Sequence, residues 1–260
     1  MKKIYLLLYI ILSFNVYSQN NLYSIEYQFE ANLDYSIQSI DQLYYDPQKK
    51  ISYYKNGNLK TIGETYKAKN ANEIVINQES ENSDFVYIDI NNDLIYNQIT
   101  PISNTYLTTE KIPFFNWNIL KETKTINDIE LTKATTSFRG RIYEVWFSYE
   151  YPISIGPWKF NGLPGLIFEV IDKSTTYNYS WKLKTLKQSK AVLPFTKSLN
   201  RNLINLNNFI AKHKEEFFDN EKSLFLKIGL EATPPSNNDL EKMYQQSLSK
   251  EIEKKHEWEE

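Results

Sequence analysis

Glycine is scarce in this chain, and its placement constrains the backbone more than any other feature of the sequence. Only seven glycines occur among 260 residues, yet three lie within one short segment that also holds two prolines: Gly156, Pro157, Gly162, Pro164 and Gly165. Glycine adopts positive φ without steric cost, whereas proline fixes φ and removes an N–H donor. The segment therefore predicts a sharply shaped loop followed by a regular element.

Individual residues of this loop predict its path. Asn161-Gly162 is a strong turn signal. Gly165 is expected to allow a close approach or a reversal of the backbone, and a larger residue there should impair folding if Gly165 has a positive φ. The apolar run 166–171 is typical of a buried strand. We interpret the loop as a structural corner that packs its leucines into the core and that can also present a binding edge.

The loop also carries a family resemblance. The positions concerned are Gly156, Pro157, Trp158, Phe160, Asn161, Gly162, Leu163, Pro164, Gly165, Leu166 and Ile167. This run resembles the signature of the GLPGLI family of bacterial envelope proteins, and the likeness covers about residues 117–185. Leu131 and Glu144 stand where many members are expected to have Cys and Ala, which argues against a thiol-dependent role. The resemblance implies a β fold and an envelope address, but no particular activity.

Composition narrows the class of protein. Aromatic residues make up 15% of the chain, with 20 tyrosines, which favours strands over helices. Cysteine is absent, so disulfides, thiolate nucleophiles and Cys-based metal sites are excluded. The formal net charge is −2, and it becomes −4 once Lys2 and Lys3 are removed with a leader. A mildly acidic chain is not suited to nucleic acid.

The N-terminal residues have the order of a secretory leader. Lys2 and Lys3 precede the apolar run 4–12, and Ser18 is a small residue suited to cleavage before Gln19. The apolar run is too short to span a membrane, and no later stretch is long enough. We therefore expect residues 1–18 to be a cleaved signal peptide and the mature chain, with no lipid anchor or integral membrane segment, to be periplasmic or secreted.

Alternation of apolar and polar residues predicts strands along most of the chain. The cleanest case is 23–30, where Tyr23, Ile25, Tyr27 and Phe29 alternate with polar residues. Further strands are expected at 37–45, 51–55, 59–66, 73–77, 85–90, 94–99, 130–138, 141–149, 166–171 and 177–184. Residues 101–118 look looser. The strand at 177–184 is expected to close the sheet.

These strands are linked by short turns, including one at Arg139-Gly140, which favours antiparallel pairing. We predict a mainly β fold: a curved antiparallel sheet, of half-barrel or open barrel-like form, with one or two C-terminal α-helices. Residues 19–232 are expected to form a single β domain with a packed helix near 200–218.

The period changes from two to that of a helix toward the C-terminus. Leu203, Leu206, Ile210 and Phe217 recur at helical spacing, which predicts a helix whose apolar stripe covers the sheet. Residues 233–260 are expected to be a short linker and a charged final helix. A thin apolar stripe marks that helix: Leu240, Tyr244, Leu248 and Ile252. We interpret the final helix mainly as a solvated tail.

Residues suited to catalysis are few. His213 and His256 are the only histidines, and neither has a second histidine at metalloprotease spacing. No nucleophile elbow and no phosphate-binding glycine loop is present. The sequence therefore assigns no catalytic residue, metal or cofactor, and leaves only carboxylate acid–base chemistry open.

The best candidates for ligand or partner contacts lie in the loop that carries the resemblance, residues 156–167, hereafter the signature loop, and in the hairpin before it. They are Arg139, Arg141, Glu144, Trp158 and Lys159. In a functional interpretation, the cations bind an anionic headgroup or a carboxylate and Trp158 lines an apolar wall. In a structural interpretation, the charges simply occupy the solvent face of a strand, and the sequence favours this second interpretation.

Three functions follow from these observations. The first is a non-enzymatic, secreted envelope protein that binds a lipid or other apolar or amphipathic ligand on an aromatic-lined sheet face. The alternative is an accessory subunit that docks on an outer-membrane receptor or transporter. A hydrolase with two carboxylates ranks last, because nothing in the sequence pairs them.

Overall fold

The fold is dominated by one large β-sheet. The computed structural model describes residues 22–62, 84–102, 104–189, 193, 203–227 and 234–256. The strands are β1 (Leu22–Asn32), β2 (Ser36–Asp46), β3 (Ile51–Lys55), β4 (Lys60–Ile62), β5 (Phe85–Asp89), β6 (Leu94–Ile99), β7 (Tyr106–Lys111), β8 (Asn118–Ile126), β9 (Ile129–Phe138), β10 (Arg141–Ser148), β11 (Leu166–Asp172), β12 (Asn178–Ser189) and β13 (Leu203–Asn205). Two helices follow: α1 (Leu206–Lys227) and α2 (Asn237–Leu248).

The sheet consists of two antiparallel meanders joined side by side. Its strand order is β13-β7-β6-β5-β3-β2-β1-β12-β11-β10-β9-β8, with β4 paired to β2 off this path. All pairings are antiparallel except that of β13 with β7. The predicted fold class, a mainly β protein with a curved, open antiparallel sheet and C-terminal helices, is confirmed.

One part of the predicted topology is wrong. The strand predicted at 177–184 does not close the sheet, because β12 lies in its middle, between β1 and β11. The long register of β12 with β1 joins the two meanders, and the sheet edges are β13 and β8. Residues 101–118 also contain β7, which the loose sequence pattern did not indicate.

Strand register explains where the core lies. Residues opposite each other on neighbouring strands share a face, so Phe29, Trp181, Val170, Val145 and Ala134 form one row across five strands. All but Phe29 are buried, and the Phe29 and Trp181 ring centroids are 5.2 Å apart. Full burial of each large apolar side chain contributes about 1.5–3 kcal/mol. This row makes one face of the sheet the main hydrophobic core.

The signature loop folds back against the start of β11. The predicted turn at Asn161-Gly162 is wrong, because Asn161 pairs with Ile155 in a β-bridge. The turn lies at Trp158-Lys159 instead, where the Phe160 N–H donates to the Pro157 carbonyl at 3.1 Å. Gly162, which follows the bridge, has a φ of 90°. Positive φ occurs at Gly162 and at Trp158, whose φ is 53°, and not at Gly165, where the predicted close approach of the backbone is found instead. Gly165 is restricted by space: an added Cβ would lie 2.0 Å from the backbone oxygen of Ser148. The loop is therefore a close backbone crossing.

The C-terminal helices differ from the predicted ones at their ends. The helix expected near 200–218 begins at Leu206 and extends to Lys227, while Leu203 lies in β13 and is exposed. The reason is that 203–205 pairs with β7 and forms the edge strand β13 before the helix begins. The final helix ends at Leu248, so Ile252 lies beyond it.

Two predicted segments lie outside the described residues, namely the leader with its Ser18/Gln19 cleavage site and the strand at 73–77. Neither described helix has the length and apolarity needed to span a membrane.

Candidate functional site

The hairpin between β9 and β10 turns two arginines toward the protein interior. Arg139 and Gly140 have φ values of 44° and 80°, as in a two-residue turn with both central φ positive. Arg141 opens β10 in the same alternation phase as Tyr143 and Val145, which are fully buried. The side chains of Arg139 and Arg141 are accordingly 3% and 0% exposed. The prediction that these charges occupy the solvent face is wrong.

The signature loop delivers a third buried cation. The left-handed backbone at Trp158 lets Trp158 line an internal cavity while Lys159 extends into the core, with its side chain fully buried. The Lys159 Nζ donates to Glu110 Oε1 at 2.5 Å and to Glu253 Oε1 at 2.8 Å. A buried ammonium persists only when such partners offset its desolvation.

Four side chains form a buried ion cluster: Glu110, Arg139, Lys159 and Glu253. Arg139 Nη2 donates to Glu110 Oε2 at 2.5 Å, and its Nη1 donates to Glu253. Burial acts to raise the pKa of the Glu253 carboxyl, but Lys159 and Arg139 outweigh it and hold that pKa below its ordinary value. Two cations and two carboxylates thus balance each other.

Arg141 forms a second set of contacts with the C-terminal segment, residues 249–256. Its guanidinium pairs with Asp172, and both side chains are fully buried. Nε and Nη2 donate to the Glu251 carbonyl at 3.0 and 2.6 Å, and Nη2 also reaches the Ser249 carbonyl at 3.3 Å. The Tyr179 hydroxyl donates to the Lys250 carbonyl. Side chains of the sheet therefore bind the backbone of this segment.

The C-terminal segment is consequently held by the protein, rather than being a solvated tail. The backbone N–H groups of Lys254 and Lys255 donate to the Arg139 carbonyl at 3.0 and 3.3 Å. Ile252 packs against the main core. The interpretation of the final helix as mainly a solvated tail holds for the charged face of α2 and is wrong for residues 249–256, because buried cations bind them.

A cavity of about 710 Å³ lies between the sheet and the C-terminal residues. Its wall includes aromatic and aliphatic side chains from both sides: Phe29, Trp158, Trp181, Phe209, Leu248 and Ile252. The Trp158 and Trp181 rings stack with centroids 6.4 Å apart. Aromatic side chains of the sheet therefore form part of the wall of this cavity.

A buried polar network lies beside the aromatic wall. Asp41 accepts hydrogen bonds from Ser39 Oγ at 2.5 Å, from the Gly57 N–H at 2.8 Å and from the Tyr54 hydroxyl. Trp181 Nε1 donates to the Tyr54 hydroxyl at 2.9 Å. Burial raises the pKa of the Asp41 carboxyl, although these hydrogen bonds oppose the change. The cavity therefore has a polar side as well as an apolar one.

Glu144 lies apart from the other candidate residues. It is on the opposite face of β10, where it forms ion pairs with Lys133 at 3.3 Å and Lys173 at 3.6 Å. Trp146 Nε1 also donates to it at 3.2 Å. The structure therefore brings together Arg139, Arg141, Trp158 and Lys159, and leaves Glu144 outside the site.

Several residues of the site were missed by sequence reasoning. They are Glu110, Asp172 and Glu253, whose partners are remote in sequence, and Asp41, which binds Ser39, Tyr54 and Gly57. One signal was present: Arg141 shares the alternation phase of Tyr143 and Val145, which places it on the buried face. A charge in that phase indicates a buried ion pair.

The two histidines lie near the same cavity. His213, on α1, stacks on Phe209 with centroids 5.8 Å apart, and burial lowers its pKa although Glu216 opposes this. His256 also lines the cavity. Among the described residues, no group of three His, Asp or Glu side chains is arranged to hold a metal ion.

No family model and no curated protein matches this chain. Two crystal forms of PNGF-II are similar to it, at 18% and 17% identity with TM-scores of 0.45 and 0.46 over 71% and 74% of this chain. This chain spans 31% and 32% of those chains, or about a third of their length. An uncharacterised conserved protein from Thermus thermophilus is similar at 8% identity and a TM-score of 0.39, over 76% of this chain and 98% of that one. All three scores are below 0.5, so none of these likenesses defines a function.

Proposed function

We propose that this chain is a non-enzymatic, exported protein of the bacterial envelope, related to the GLPGLI proteins, which binds an apolar or amphipathic ligand. The observation that carries the proposal is the cavity between the sheet and the C-terminal residues. Its volume of about 710 Å³ lies within the range of roughly 300–1,000 Å³ typical of small-molecule sites.

The chemistry of the cavity supports an amphipathic ligand. Phe29, Trp158 and Trp181 provide an aromatic surface, whereas Asp41 and Tyr54 provide polar groups at the same cavity. A pocket with a mostly apolar wall and a few oriented polar groups binds and orients a ligand with both characters.

Two of the four carboxylates that line the cavity favour binding over catalysis. Asp41 is held by three donors of its own chain, and Glu253 is held by Arg139 and Lys159. A general base must be within hydrogen-bond reach of the proton that it removes. Carboxylates committed to internal partners are poor candidates for that role, which ranks the hydrolase below the binding protein.

The export part of the proposal depends on the leader-like order of residues 1–18 and on the GLPGLI-like loop. Export is tested by isolating the protein from an envelope fraction and identifying its N-terminal residue. A mature chain that begins at Gln19 is expected. Recovery of the uncleaved chain from the cytoplasm would contradict the proposal.

The binding function is tested by native mass spectrometry of the gently purified protein, repeated after extraction with organic solvent. We expect a stoichiometric adduct that extraction removes. An adduct-free protein that co-purifies with an outer-membrane polypeptide would contradict this proposal and favour the accessory-subunit function instead.

A further inference from the structure

The C-terminal segment forms one wall of the cavity and covers the buried ion cluster. Residues 251–256 line the cavity, and the Glu253 carboxylate extends from this wall to Arg139 and Lys159. The Lys159 Nζ lies 5.3 Å from the Trp158 ring centroid. The Lys159 ammonium is therefore next to the aromatic wall, and Glu253 joins both cations to the segment.

If Glu253 leaves the ion cluster, charge balance requires another anion in its place. Arg139 and Lys159 carry two positive charges, and Glu110 supplies one negative charge from β7. Without Glu253 the cluster retains one net positive charge in a buried place, which is unfavourable unless another anion neutralises it. An incoming carboxylate would restore the balance with the same charge and the same acceptor atoms.

The C-terminal segment is held at two separate places. At its base, Arg141 and Tyr179 bind the carbonyls of Glu251 and Lys250. At its tip, Glu253 binds the ion cluster, and two backbone N–H groups donate to the Arg139 carbonyl. Since these contacts involve different partners, the tip can detach while the base stays bound.

We propose that the ligand is an amphipathic carboxylate whose headgroup replaces Glu253 on Arg139 and Lys159 and displaces the tip of the C-terminal segment. Its apolar chain lies against Trp158 and Trp181. This inference rests on the proposed binding function. It adds that the ligand's headgroup is a carboxylate and that the Glu253 carboxylate competes with it for the same cations. The apparent Kd then equals the intrinsic Kd divided by the fraction of molecules in which Glu253 has left its site, so a well-occupied Glu253 weakens binding.

The first experiment compares three twelve-carbon ligands that differ only in headgroup: dodecanoate, dodecyl phosphate and dodecanol. Each is titrated into the mature chain and into Glu253→Gln, with tryptophan fluorescence as the readout. We expect Glu253→Gln to bind dodecanoate about tenfold more tightly than the unmodified chain does, with dodecanol affinity unchanged. Glu122→Gln removes an exposed carboxylate that pairs with Lys133 on the sheet and should behave like the unmodified chain.

The second experiment follows the segment itself. Because the chain has no cysteine, Lys255→Cys introduces a single thiol for a nitroxide label. Dodecanoate at saturation should increase the mobility of this label, whereas dodecanol at saturation should not.

The outcomes separate this inference from the proposed function. If dodecanoate and dodecanol both bind but Glu253→Gln leaves their ratio unchanged and the label does not move, the inference is overturned and the binding function stands. Preferential binding of dodecyl phosphate would overturn the carboxylate assignment. If no ligand binds and the native protein carries no adduct, the proposed function itself fails.

Discussion

Lys159 and Glu253 are 94 positions apart in the chain, yet the Lys159 Nζ lies 2.8 Å from Glu253 Oε1 inside the protein. One residue comes from the glycine-rich loop and the other from the C-terminal segment. Their contact links the most distinctive sequence of this chain to the wall of its cavity. It also shows that the C-terminal segment belongs to the candidate site.

The first prediction concerns the close crossing at Gly165. Gly165→Ala places a Cβ 2.0 Å from the backbone oxygen of Ser148, so the backbone must move. We expect a loss of roughly 2–3 kcal/mol of unfolding free energy. The measurement is urea unfolding followed by far-UV circular dichroism.

Gly162 provides the matched control for this prediction. An added Cβ there would meet only Trp117, at 3.4 Å, but φ is 90°. Gly162→Asn should therefore cost about 1 kcal/mol, since asparagine tolerates positive φ better than other side chains. An equal loss in both variants would refute the close-approach explanation.

The second prediction concerns the buried pair of Arg141 and Asp172. Arg141→Met leaves the Asp172 carboxylate buried without its cation and removes donors from the Glu251 carbonyl. Removing one partner of a buried pair typically costs about 3–5 kcal/mol. We expect a loss of that size in the urea unfolding free energy.

A double variant that combines Arg141→Met with Asp172→Asn tests the cause. Because the substituted amide carries no charge, the double variant should be more stable than Arg141→Met alone. If both unfold at the same urea concentration, the uncompensated carboxylate is not the source of the loss.

The third prediction is a pH dependence at Glu253. Burial acts to raise the pKa of this carboxyl from its ordinary value of 4.5. Lys159 and Arg139, with a smaller effect of His256, nevertheless hold the folded pKa below that value. Glu110 also faces the two cations. A lowered carboxyl pKa contributes stability that is fully present above 4.5 and is lost as pH falls through the folded value. Glu253→Gln lacks this contribution.

Unfolding free energies of the unmodified chain and Glu253→Gln should therefore differ most above pH 4.5 and converge as the pH falls through the folded pKa. The control is Glu241→Gln, which removes an exposed carboxylate paired with Lys214 at 2.8 Å. Solvent screens that pair, so its pH dependence should follow the unmodified chain. A constant difference for Glu253→Gln across this range would contradict the ion-cluster assignment.

The fourth prediction tests the cavity by filling it. Ile210 is half-buried on α1 and lines the cavity, so Ile210→Trp should occupy ligand space. We expect ligand affinity to fall roughly tenfold or more, with the melting temperature changed by less than about 3 °C. Native mass spectrometry and thermal unfolding provide the two measurements.

Leu226 offers a matched control on the same helix, because it is 73% exposed and does not line the cavity. Leu226→Trp adds the same ring without filling the cavity, so ligand occupancy should be unchanged. Equal occupancy in the two variants would place the ligand elsewhere.

Local sequence pattern was sufficient for much of the fold. Alternation of apolar and polar residues predicted β1, β2 and the β9–β10 hairpin, because burial of one sheet face imposes a period of two. The pattern did not predict β7, because that strand is formed by pairing with β6 and β13 and its residues do not alternate clearly between apolar and polar. It failed also at the end of α2, since the residues beyond Leu248 are held by side chains of the sheet.

By itself, the sequence determined the fold class, the turn at Arg139-Gly140 and the corner formed by the signature loop, since each depends on local backbone preferences. Only the tertiary structure decided that β12 joins two meanders and that Arg139 and Lys159 are buried with Glu110 and Glu253. A charged residue on a strand can face water or the core, and a cation is buried only where a carboxylate from a distant part of the chain neutralises it. Strand order decides which carboxylates lie next to it, and local pattern does not encode strand order.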